Sequence, residues 1–363
     1  MVKESRREFI KKGITLASAP AVAPALVQAA VSGPRRNPDD SLQARASAAG
    51  AHPSYEVHSS AKSPRVPVRI LDTERMPWAP MPVPSDPLMA KYPTSEKFLF
   101  ENKETKAHIR ILYVPPGWPG ALNHYHTFHE WAYMLFGDLT NNESTHPDQH
   151  FGPLQRYREG TFLDRPAYSL HGGERGRQDF MRSQVGGAIL IMEEGDVASQ
   201  TFGVESGSSN YNPDYKQVKQ WAVPRIIDTI GGMPWQPEGS VPGLHIKHLV
   251  DDPTRGFRAT LWWLEAGWNS SQSPQFARAY YYKQAYQFDF VLSGDLNIQT
   301  YQAPGEKAEK IALGRYFYVE RAPMSIFGLA DGVVTERGCV WLEVTYGKGT
   351  AVSNTLIEDP TYV

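Results

Sequence analysis

The chain has 363 residues, 41% of them hydrophobic and 21% charged, a globular composition with room for two ordinary domains. Its 37 basic and 39 acidic side chains leave a net charge of −2, which argues against a nucleic-acid binder, because such a protein needs a basic surface to displace counterions. The single cysteine, Cys339, cannot form an intramolecular disulfide and excludes a cysteine-based zinc site.

The chain opens on an address. Ser5-Arg6-Arg7-Glu8-Phe9-Ile10-Lys11 matches the twin-arginine export signature, an apolar run follows from Ile14 to Val27, and Val27-Gln28-Ala29 offers a small-residue cleavage site. The run is broken by Pro20 and Pro24 and is shorter than the about 20 residues a spanning helix needs. Residues 1–29 are therefore expected to be a twin-arginine signal peptide. The mature protein would lie in the periplasm or be secreted, with no membrane span. Residues 30–64, rich in Ser, Ala, Pro and charge, read as a flexible segment.

Beyond residue 64 the chain repeats itself. Arg69-Ile70-Leu71-Asp72-Thr73 with Met76-Pro77-Trp78 recurs as Arg225-Ile226-Ile227-Asp228-Thr229 with Met233-Pro234-Trp235. Phe136-Gly137-Asp138-Leu139 recurs as Ser293-Gly294-Asp295-Leu296, and Arg165 to Gly172 recurs as Arg321 to Gly328. Residue 225 against 69 and residue 328 against 172 give the same offset, 156. Two copies follow, at 65–220 and 221–350, with a tail at 351–363. Segments such as Ile109 to Val114, Ala188 to Met192 and Phe288 to Leu292 are short and β-branched or aromatic, with Gly and Pro between them. That pattern predicts an all-β sandwich or barrel in each copy. Gly-Asp-Leu after each middle strand is expected to make a tight turn.

The chemistry concentrates in the first copy. His124-Tyr125-His126 is followed by Glu130 and Gly137, and a second segment carries Gly160, Pro166 and His171. On a strand His124 and His126 point the same way, whereas on a helix they would sit about 200° apart. Glu130 is four residues further, about 13 Å along a straight strand, too far to share an ion with ligand bonds of about 2 Å. The chain must bend between Thr127 and His129, and His171 must arrive from another strand. Three imidazoles and a carboxylate suit one divalent ion, Fe or Mn first, with Ni, Cu or Zn as alternatives.

This arrangement resembles the cupin superfamily. Its first motif runs Gly, a short gap, His-x-His, three or four residues, Glu, six residues, Gly; the spacing from Glu130 to Gly137 fits, and the gap from Gly117 to His124 is one residue longer than the family's. In the second motif Gly160, Pro166 and His171 are in register, but Tyr168 stands where the family has Gly. The resemblance spans residues 65–350. It implies two tandem cupin (jelly-roll β-barrel) domains, a metal held by His124, His126, Glu130 and His171, and, by resemblance alone, a homodimer.

The second copy has lost the set. Gln287 stands at the Glu130 position, Tyr281 and Lys283 at the His-x-His positions and Phe327 at that of His171, with no histidine after His248. In the first copy His129 is expected to face away from the metal, and His146 and His150 read as a solvated loop. His108 has no partner by motif. Tyr113, Trp118, Phe128, Trp131, Tyr133, Phe162 and Tyr168 surround the site. Arg110, His129, Trp131, Tyr133 and Tyr168 are the candidate substrate contacts, Arg110 for an anionic group. No phosphate loop, dinucleotide fingerprint or nucleophile elbow is present. Two functions are open. One is a mononuclear metal oxidoreductase, a dioxygenase on an aromatic or other small organic molecule. The other is a metal-binding cupin with a ligand-binding or sensing role, with decarboxylase, isomerase and lyase chemistry as further variants.

Overall fold

A computed structural model describes residues 67–82, 89–144, 152–173, 182–196, 201–202, 223–239, 241–273, 280–300, 307–348 and 355–357. The signal-peptide and flexible segments (1–64), His146, His150 and most of the tail lie outside these residues. Among the described residues helix is confined to two single 3-10 turns, Met89–Lys91 and Ser270–Gln272, and the remaining regular structure is strand. No helix among them is long and apolar enough to cross a membrane.

The sequence repeat returns as a repeat of topology. In one large sheet the order is Arg69–Asp72, Phe317–Arg321, Tyr286–Gly294, Cys339–Tyr346, Phe257–Leu264, Leu244–Asp252, Gln236–Pro237. Its counterpart runs Arg225–Asp228, Thr161–Arg165, Glu130–Glu143, Gly187–Glu193, His108–Val114, Ser95–Glu101, Ala79–Pro80. Each is closed by a smaller sheet, again in matching order. In the first copy this is Leu154–Arg158, the far half of Glu130–Glu143, His171–Gly172, His124–Tyr125 and Thr201–Phe202. In the second it is Glu309–Leu313, Leu296–Thr300, Phe327–Leu329, Tyr280–Tyr282 and Thr355–Ile357.

The first strand of each copy belongs to the other barrel. Arg69–Asp72 pairs with Phe317–Arg321, and Arg225–Asp228 pairs with Thr161–Arg165. The boundaries 65–220 and 221–350 divide the chain, then, but not the sheets. This exchange explains the repeated Asp-Thr and Trp motif. Thr73 donates its Oγ1–H to Tyr316 O (2.6 Å) in the second barrel, while its own carbonyl accepts from Lys97 Nζ (2.7 Å) in the first. Lys97 also lies over the Trp78 ring. Thr229, Gly160, Lys247 and Trp235 repeat the same clasp in the opposite sense.

Between the large sheets lies one continuous apolar cluster drawing on both barrels, with Phe100 edge-on to Phe288 (5.2 Å between centroids) and Phe257 against Tyr346 (5.4 Å). Each such aromatic pair adds about 0.5–1.5 kcal/mol beyond its area burial. Because side chains alternate along a strand, each central strand serves two cores. On Glu130–Glu143, Trp131, Tyr133 and Leu135 enter the cluster between the barrels, whereas Ala132 and Met134 face the first barrel's interior.

The expected Gly-Asp-Leu turn is corrected by the structure. In the first copy the strand runs unbroken through Gly137, first pairing with Gly187–Glu193 and then with Leu154–Arg158, so the glycine makes a corner from one sheet into the other. The physical cause is a left-handed φ of 83° together with a register shift in the neighbouring strand. A Cβ on Gly137 would lie 1.9 Å from Gly186 O. Gly137→Ala is expected to cost more than about 2 kcal/mol in denaturant unfolding, strain plus clash. Gly267→Ala, also at positive φ but with nothing within 4 Å of its Cβ, should cost only about 1 kcal/mol. Equal losses would show that the corner tolerates a side chain.

Candidate metal centre

The first barrel gathers the four sequence-predicted ligands at one end of its interior. His124 lies directly opposite His171 across paired strands, and His171 in turn lies opposite Glu143. After His126 the chain bends at Thr127 and Phe128, and Glu130 then opens the next strand. His124, His126, Glu130 and His171 are all buried. The ring centroids of His124 and His171 are 4.1 Å apart, and each lies 5.2 Å from that of His126. Nitrogens of the three rings fall within 4.8 Å of one another, and a second such group joins His126, Glu130 and Glu193.

Hydrogen bonding fixes the tautomers of two of the rings. His124 Nδ1–H donates to Leu122 O (2.6 Å) and His171 Nδ1–H to Ser169 O (2.9 Å), so Nε2 carries the lone pair in both rings. Burial pushes the His124 pKa down to about 3, helped by the neighbouring His126. Burial, with Arg165 and the other rings, holds His171 well below its usual value. Both are neutral near pH 7, the state a metal requires. Glu130 Oε2 is 3.2 Å from His126 Nε2, and Oε1 accepts from Arg165. Burial alone would raise the Glu130 pKa; the Arg165 guanidinium overrides it and brings the value to about 2.

Sequence reasoning missed the residues that hold these side chains. Arg165 is 4% exposed and bridges Glu130 to Glu143, which also accepts from Tyr157 and Asn141. Arg165 was visible as the first residue of the repeat ending at Gly172. Glu143, beyond the motif, left no signal. Glu193 enters from the adjacent strand and accepts from Arg110 Nη2 (2.5 Å) and His108 Nε2 (3.0 Å), giving His108 the partner no motif supplied.

A cavity of about 840 Å³ opens off this cluster. Its wall corrects four of the five expected substrate contacts. Trp131 and Tyr133 have the opposite strand parity to Glu130 and lie between the barrels, where Trp131 Nε1–H donates to Tyr346 OH and Tyr133 meets Thr229. His129 lies in the same seam, with Nε2 2.6 Å from Asp164 and Nδ1 2.6 Å from Glu194. Burial opposes its protonation, but these two hydrogen bonds prevail and raise its pKa. Asp164 also takes Arg255 from the second barrel. Tyr168 is outside the wall, its ring 5.9 Å from Tyr125. It has a φ of 66°, so it occupies the left-handed conformation for which the family motif uses Gly; Met324 does the same in the second copy. Arg110 does line the cavity, but between Glu96 and Glu193. Of the aromatic set around the site, only Trp118 lines the wall.

At the matching place in the second barrel the strand register is kept, with Tyr281 opposite Phe327 as His124 is opposite His171. The chemistry there is different. Lys283 Nζ is 3.1 Å from Glu343, Gln287 donates to Asp289 (2.9 Å) and Glu343 (3.0 Å), and Arg321 pairs with Asp289 (3.0 Å) and lies over the Phe327 ring. An ammonium and a guanidinium balance two carboxylates. Among the described residues, both groups able to hold a metal are in the first barrel.

No family model and no curated protein sequence matches this chain. Solved structures do. A "putative dioxygenase" from Nostoc punctiforme is 13% identical with a TM-score of 0.55, over 83% of this chain and 90% of that one. The oxalate decarboxylase of Lactobacillus farciminis, in its formate complex, is 10% identical with a TM-score of 0.50, again over 83% and 90%. At these identities the likeness is one of fold, and with the duplicated sheet order it shows that the chain has the bicupin fold, two tandem jelly-roll barrels.

Proposed function

We propose that the protein is a mononuclear metal-dependent oxidoreductase of the dioxygenase kind, acting on a small organic molecule held in the first barrel. The observation that carries this reading is the convergence of His124, His126, His171 and Glu130 at the polar end of a cavity of about 840 Å³, within the range that holds small organic ligands. Similarity to a structure described as a "putative dioxygenase" supports the choice of reaction.

The donor set fits a metal. Two rings are neutral with their Nδ1 atoms committed to backbone, and the buried His126 Nδ1 has no hydrogen-bond partner. Three imidazoles with one carboxylate suit Fe or Mn, with Ni, Cu or Zn as alternatives. A metal held there would supply Lewis-acid or redox chemistry at the polar end of the cavity. The chain's own residues do the rest. Arg165 fixes Glu130 Oε1 and leaves Oε2 turned towards His126. Glu193 is kept a carboxylate: burial works against this, but His108 and Arg110 prevail. The apolar wall excludes water around whatever is bound.

A second reading, a metal-binding cupin that senses or carries a ligand, uses the same site without turnover. Oxygen consumption separates the two when native protein is offered phenolic and other small organic compounds. Export through the twin-arginine route and homodimer formation are proposed on sequence grounds alone. Replacing Arg6 and Arg7 with Lys should leave the precursor in the cytoplasm, and unchanged export would refute the first of these.

Metal analysis of native protein should give close to one ion per chain; a value near two would overturn the account of the second barrel. Single Ala replacements of His124, His126, Glu130 or His171 should each lower metal affinity by well over tenfold and abolish turnover. His129→Ala should keep its metal but unfold earlier, since it strips a buried pairing from Asp164. Arg165→Met acts on the metal through Glu130 and should weaken binding by about 10–100-fold. Undiminished affinity in that variant would show that Arg165 does not position the carboxylate.

A further inference from the structure

The cavity has two chemically different ends. At the metal-binding end both guanidiniums are already engaged. Arg110 reaches Glu96 with Nη1 (3.0 Å) and Glu193 with Nη2 (2.5 Å), and Arg165 spans Glu130 and Glu143. Both arginines are at least nine-tenths buried. A guanidinium clamps a substrate carboxylate or phosphate by presenting an open fork of donors. Turning Arg165 to a substrate would leave the buried Glu130 and Glu143 without their counter-charge, which is strongly unfavourable, and turning Arg110 would leave the buried Glu193 with His108 alone.

Away from this end the wall is largely aliphatic: Met81, Met89, Leu112, Met134, Ile189 and Ile191 line it. The second barrel shows that the scaffold does not impose this. By strand register Asp289 takes the place of Ala132 and Glu343 that of Ile191, since Asp289 pairs with Glu343 as Ala132 pairs with Ile191. Where no metal-binding set exists, the same wall positions carry charge.

We propose that the first barrel's cavity takes a neutral, mainly aliphatic molecule, its one polar group turned to the metal-binding cluster, and disfavours carboxylates. This rests on the proposed function for the place of the metal, but the arginine pairing and the apolar wall belong to the chain itself. The test is calorimetric titration of the full mature protein, metal-loaded and metal-stripped, with 1-octanol, octanoate and oxalate, alongside metal analysis of the same samples. Octanol should bind at least tenfold more tightly than octanoate, and oxalate should show no saturable binding. Ile191→Glu, which copies the second barrel's charge into the wall, should weaken octanol binding at least tenfold with metal content unchanged. Should that variant fail to fold, Ala132→Leu fills the same wall and gives the same readout. Octanoate or oxalate binding as tightly as octanol, or no saturable octanol binding, overturns the proposal even if metal is present. Absence of metal from native protein overturns the proposed function instead, while the ligand ranking in the stripped protein still decides this one.

Discussion

The large sheets pack against each other across Phe100, Trp131, Phe257 and Phe288, and that contact sets what every other position on their strands can do. A strand has two faces, and here both are buried, one between the barrels and one inside a barrel. Glu130, Ala132 and Met134 therefore face the first barrel's interior because Trp131, Tyr133 and Leu135 must face its neighbour. The site inherits its orientation from the packing of the two barrels. The exchange of the Arg69–Asp72 and Arg225–Asp228 strands makes the dependence mutual, since each barrel's large sheet is completed by the other copy's chain.

Within that frame the first barrel's interior solves an electrostatic problem. Glu130 is held ionised by Arg165 and Glu193 by His108 and Arg110, whereas His124 and His171 are held neutral by burial. Opposite responses to the same low-dielectric surroundings follow from opposite partners. The second barrel meets the same need with its own cations, Lys283 and Arg321, facing Asp289 and Glu343. A metal bound in the first barrel would be an external cation, whereas the second barrel's ammonium and guanidinium are built in.

Much of this architecture was legible in the sequence because it is encoded in local periodicity. The 156-residue offset, the alternation in the β segments and the His-x-His spacing are short-range patterns, and they implied two all-β copies with one histidine-rich site. Spacing also required a bend between His126 and Glu130, and the chain bends at Thr127 and Phe128. The left-handed Tyr168 was legible only as an anomaly, a bulky residue at a glycine position, and the backbone kept the glycine conformation nonetheless.

What the sequence alone determined was the duplication, the all-β class and which copy carries the histidines, since these follow from residue identity and period. Tertiary structure alone decided which face of each strand meets the cavity. It turned Trp131 and Tyr133 away from the site and set His129 between Asp164 and Glu194 in the seam. It also brought Glu193 to this cluster from the neighbouring strand, and Glu143 from the far end of the strand that Glu130 opens, opposite His171. The reason is that aromatic side chains suit a barrel interior and a barrel interface equally well in composition. Only the partner across the sheet, residues distant in the chain, determines which face is buried against which core.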